Sequence, residues 1–121
     1  MSSNTLYLPL KKNWFDMIKA GIKKEEYREI SEYWFKRFCG TAPAIYRIMF
    51  RTCMEMKDYS MVKETNITKY DKLVFTLGYP KADDTERRLE FKNPKIQIGK
   101  GKPEWGANPS KTYFVITWEE K

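Results

Sequence analysis

Apolar residues in this chain come in short, punctuated runs, and none approaches the ~20 residues that a membrane-spanning helix needs. Such a pattern restricts the chain to short strands and short helices. Asp71 to Gly78 (DKLVFTLG) sets Leu73, Phe75 and Leu77 against Lys72, Val74 and Thr76, the alternation of a half-buried strand closed by glycine. Thr5 to Leu10 is apolar and partly alternating, with Pro9 near its end, and reads as a first strand. Leu89 to Phe91, Ile96 to Ile98 and Tyr113 to Trp118 are further strand candidates, interrupted by Asn93-Pro94 and by the Gly- and Pro-rich stretch Gly99 to Pro109. Ala44 to Cys53 is rich in β-branched and aromatic residues, so a strand is expected there too.

Helical spacing shows in two places. Trp14, Phe15 and Ile18 recur at helical intervals, with Asn13 as the expected N-cap and Gly21 as the terminating residue. Ser31 is a good N-cap for a second helix carrying Trp34, Phe35 and Phe38, ended by Gly40 and a turn through Thr41 to Pro43. Between these helices Lys24 to Ile30 changes period and is expected to be extended, while polar Glu55 to Lys69 reads as an insertion or loose loop. The expected class is α+β, mainly β: five to six strands closing a barrel, with two or more short helices. Residues 1–121 should form one domain, with Phe75, Ile98, Val115 and Trp14 in its core.

Twenty-three Lys and Arg against sixteen Asp and Glu leave a charge of +7, which attracts phosphates or an acidic partner but also serves plain solubility. Histidine is absent, so a His-based triad or zinc set is excluded. The two cysteines, Cys39 and Cys53, lack metal-like spacing and are expected to be free thiols in a reducing cytosol. Met1 to Leu10 lacks the basic start and apolar core of a signal peptide, which again fits a cytoplasmic protein.

The segment with the most chemistry is Gly21 to Arg28, G-I-K-K-E-E-Y-R. If Glu25 to Arg28 is extended, Glu26 and Arg28 share one face about 7 Å apart along the strand, and Tyr27 points the other way, into the core. Lys23 precedes that strand at a turn, so alternation leaves its direction open. An Arg fork, a carboxylate acceptor and a compact Lys charge together suit a nucleobase or phosphate. The bland alternative is a structural Glu26–Arg28 pair with Lys23 in solvent.

This segment resembles the G-x-K-x-x-E-x-R signature of ASCH domains, in the PUA-like superfamily. LYLPLKKNWFDMIKAG at the start, FTLGY at Phe75 to Tyr79, IGKGKPEWG at Ile98 to Gly106 and YFVITW at Tyr113 to Trp118 are similar to a phage-associated and gut-bacterial branch. The resemblance implies a PUA-like β-barrel with a cleft beside the motif and RNA or a modified nucleoside as ligand; no cofactor is expected, and the chain is expected to be a monomer. It also implies that Lys23 sits in a solvent-accessible cleft, where its removal would cost little stability.

A related bacterial branch hydrolyses acyl groups from modified cytidine, with a Thr three residues after the Lys. Here Glu26 holds that place, so the expected hydroxyl is missing. Lys23 as general base and Glu26 as activator of a water leave an amidohydrolase or a ribonuclease open as alternatives to a binding module. A protein-binding phage accessory module is a third class. Tyr33, Trp34, Tyr79 and Trp105 are candidate stacking platforms, worth ~1 to 3 kcal/mol per base, against the commoner role of packing. Gly99, Gly101 and Gly106 around Lys100, Lys102 and Trp105 form a basic loop whose backbone could approach phosphate, although it lacks the order of a P-loop.

Overall fold

The structure, a computed structural model, describes residues 4–40 and 43–119. Among them the chain runs β1 (Thr5–Leu10), α1 (Lys12–Lys19), β2 (Glu26–Glu29), α2 (Glu32–Phe38), α3 (Pro43–Met56), β3 (Lys72–Leu77), β4 (Arg88–Gly99) and β5 (Tyr113–Glu119), with short 3-10 turns between some of these. The five strands are hydrogen-bonded in the order β1-β3-β4-β5-β2, and with the helices they give the expected α+β class. By its internal contacts the chain separates into two compact units. One comprises Met1–Glu26, Lys69–Lys95 and Ile116–Lys121; the other comprises Tyr27–Thr68 and Ile96–Val115.

In the first unit β1 lies parallel to β3, Thr5 opposite Lys72 and Leu10 opposite Leu77, while β4 lies antiparallel on the other side of β3. Flanked on both edges, β3 is buried on both faces: Val74 and Thr76 are as enclosed as Leu73 and Phe75. The half-buried strand expected from alternation is therefore a central one. Phe75 packs edge-on against Trp118 at 5.0 Å and Phe91 at 6.0 Å. Asn93, with φ 48°, does not end its strand, and its N–H donates to the Asp71 carbonyl at 3.0 Å, so the two short candidates on either side of it are one continuous β4.

The second unit is built on α2 and α3, which pack together. Ser31 caps α2 as expected, its hydroxyl accepting from the Trp34 N–H at 3.3 Å. A Cβ on Gly40 would lie 2.5 Å from the Lys36 carbonyl oxygen, so glycine alone fits the exit of that helix. Phe38 meets Phe114 edge-on at 5.1 Å, and Phe35 lies 5.7 Å from Phe50 of α3.

The strand expected over Ala44 to Cys53 is helix α3 instead. Tyr46 and Cys53 are buried, and Met49 and Phe50 half-buried, which is the spacing of one helical face. Its β-branched and aromatic content pointed to a strand, but burial of that face against α2 outweighs a propensity preference of under ~1 kcal/mol per residue. Pro43 at the first helical position gives up an N–H that would have no partner there. The turn expected at Thr41 to Pro43 falls largely outside the described residues. Phe75 and Val115 are buried as expected, whereas Ile98 and Trp14 are half-buried.

Candidate functional site

Helix α1 has no side-chain cap at Lys11, so Asn13 lies inside the helix rather than at its start. Its end is better defined. Gly21, at φ 77°, takes the left-handed conformation; its N–H donates to the Ile18 carbonyl at 3.0 Å and the Ile22 N–H to the Met17 carbonyl at 2.9 Å. This is the Schellman arrangement, which reverses the chain and satisfies two orphan carbonyls. The Lys23 N–H also reaches the Met17 carbonyl, at 3.1 Å. The glycine thus lets the residue two places on turn back into the protein.

Lys23 is accordingly not in solvent. It is 1% exposed, and its Nζ donates to Glu26 Oε1 at 3.1 Å and to the Glu25 carbonyl at 2.5 Å. The ammonium also lies 5.3 Å from the centre of the Trp14 ring. Glu26 is 5% exposed, so both charges of this pair are removed from water. A buried ammonium is tolerated only because a carboxylate, a carbonyl and an aromatic face replace its hydration.

Tyr27, of opposite parity, is a core residue as expected. Its ring packs on Tyr113 at 5.7 Å, and its hydroxyl accepts from the Lys102 N–H at 2.9 Å. That bond anchors the basic loop. The Trp105 and Ala107 N–H groups donate to the Lys102 carbonyl and the Gly106 N–H to the Pro103 carbonyl, so these donors are engaged within the loop rather than offered to a phosphate. Trp105 packs against Tyr27, Ala107, Tyr113 and Val115, with the Lys102 ammonium 4.6 Å from its ring centre. Lys100 is exposed, its Nζ 3.4 Å from the Ser110 carbonyl.

Arg28, half-buried, donates from Nη1 to the Tyr27 carbonyl at 3.0 Å and sets its guanidinium 5.4 Å from the Trp34 ring centre. Arg37 approaches the same ring at 5.5 Å and donates to the Tyr33 hydroxyl at 3.3 Å. Tyr33 is 60% exposed and meets Trp34 edge-on at 4.9 Å. Arg28, Tyr33, Trp34 and Arg37 thus form one basic aromatic cluster. Arg37 was missed as a site residue in the sequence, although Tyr33, Trp34 and Arg37 stand at i, i+1 and i+4 on a helix, a spacing that brings the first and last together. Tyr79 is 92% exposed and sits in the first unit.

Neither a family model, a curated protein nor a solved structure matches this chain. No group of acidic, Cys or His side chains suited to a metal occurs among the described residues, and no helix among them is long and apolar enough to cross a membrane.

Proposed function

We propose that the chain is an RNA-binding module of ASCH type, which takes single-stranded RNA or a modified nucleoside on the Arg28, Tyr33, Trp34 and Arg37 cluster. The observation that carries this reading is the pair of guanidinium groups 5.4 and 5.5 Å from the Trp34 ring centre, beside a Tyr33 ring that is mostly exposed. An exposed aromatic ring stacks on a base of any sequence, while neighbouring guanidiniums meet the phosphates. The charge of +7 adds a long-range attraction.

Fluorescence anisotropy with a labelled single-stranded RNA tests it. Affinity should fall linearly on a log–log plot as salt rises from roughly 50 to 200 mM, since bound phosphates release counterions. Tyr33→Ala should weaken binding by ~1 to 3 kcal/mol, and Arg37→Ala should reduce the salt slope. Salt-insensitive binding, or parent affinity in both variants, would end this reading.

The second reading is hydrolysis of an acylated cytidine or of RNA by Lys23 and Glu26, favoured by their 3.1 Å contact. In it, the buried pair opens to substrate, Glu26 activates a water that enters with it, and Lys23 stabilises the developing charge. Release of cytidine from N-acetylcytidine by the parent but not by Glu26→Gln, under conditions where circular dichroism shows the variant still folded, would support it.

A further inference from the structure

A separate cleft of about 600 Å³ opens in the first unit, lined by Ile18 and Lys19 at the end of α1, Gly21, Thr85 and the start of β4, including Arg88 and Glu90. Arg88 is unusual among the described residues. Its Nε is shielded from solvent and has no hydrogen-bond partner among those residues. Only Nη2 is held, by the Lys81 carbonyl at 3.4 Å. A shielded donor without an acceptor disfavours a fold, so Arg88 is suited to an acceptor that comes from outside the chain.

The electrostatics of the lining say which acceptor fits. Lys19 and Arg88 are opposed there only by Glu90, whose carboxylate is already paired with Lys72 at 2.8 Å. The cleft therefore carries an unbalanced positive charge. Thr85 adds a hydroxyl, and Gly21 leaves the wall open, with no atom within 4 Å of where a Cβ would stand.

We infer that this cleft is a phosphate site, with Arg88 as its anchor and Lys19 as the second cation. The half-buried Arg88 side chain turns so that its Nε and Nη edge presents two parallel donors to a phosphate oxygen pair, a geometry that Lys cannot reproduce. A phosphate dianion has oxygens enough for Arg88, Lys19 and Thr85 together, whereas a carboxylate satisfies the Arg88 fork alone. This site goes beyond the RNA-binding reading and needs no base, so it stands or falls separately.

The test uses inorganic phosphate and pyrophosphate as probes, with acetate and sodium chloride at matched ionic strength as controls. Titration is followed by calorimetry and by the Arg88 Nε–H resonance in 15N-labelled protein. Saturable binding of phosphate or pyrophosphate should shift that resonance, and Arg88→Lys should weaken binding by about tenfold or more. Lys19→Ala, at an exposed position, should weaken binding while leaving the melting temperature unchanged. If Arg88→Lys fails to fold, the parent's Nε–H response together with Lys19→Ala decides. No saturable binding, an unmoved Nε–H, acetate binding as tightly as phosphate, or parent affinity in Lys19→Ala would each overturn the proposal.

Discussion

Lys23 Nζ stands 3.1 Å from Glu26 Oε1 with the two side chains 0% and 7% exposed, so the central pair of the G-x-K-x-x-E-x-R segment is an ion pair inside the protein. The geometry that makes it possible is local: a left-handed Gly21 ends α1 and returns the chain inward. Its cost is global. A charge held away from water is stable only while its partner is present.

Lys23→Met should therefore destabilise the fold by roughly 3–5 kcal/mol, because buried Glu26 would lose the ammonium that offsets its charge, and Glu26→Gln should do nearly as much. The double variant Lys23→Met/Glu26→Leu removes both charges and should recover most of that loss. Urea denaturation of the parent, the singles and the double measures the coupling. Additive losses would mean that the two side chains do not act as a pair.

Burial pushes the Cys39 thiol up to about 11, with the neighbouring Cys53 adding to the effect. Burial, and then Asp58, raises Cys53 as well. Because the folded value lies above the ordinary 9.0, this contribution to stability is complete below pH 9 and lost as pH rises from 9 towards 11. Stability measured across that window should fall less steeply in Cys39→Ala than in the parent. Both thiols should also resist alkylation at pH 8 until the protein is unfolded.

A Cβ on Gly101 would stand 2.6 Å from the Ala107 Cβ and 2.8 Å from the Tyr27 ring. Gly101→Ala should thus destabilise by about 1–3 kcal/mol through overpacking, and it should disturb the bond between the Lys102 N–H and the Tyr27 hydroxyl. Thermal denaturation reads the first effect. Amide hydrogen exchange at Lys102, faster in the variant, reads the second.

The sequence by itself determined what depends on neighbours along the chain. The β1, β3 and β5 segments are legible from short apolar runs, α2 from Ser31 and the spacing of Phe35 and Phe38, and the end of α1 from Gly21. Strand parity correctly sent Tyr27 inward, because alternation is a property of the backbone alone. Tertiary structure decided the rest. Ala44 to Cys53 has residues that suit a strand and spacing that suits a helix, and only the face offered by α2 resolves the conflict. β3 gave no sign that both its faces are covered, since burial of Val74 and Thr76 depends on what packs over them. Lys23, expected in a solvent-accessible cleft, is enclosed for the same reason. Whether an ammonium is solvated or enclosed depends on a carboxylate and a ring brought to it in space, Glu26 at 3.1 Å and Trp14 at 5.3 Å, and the position of Lys23 in the chain does not specify those distances.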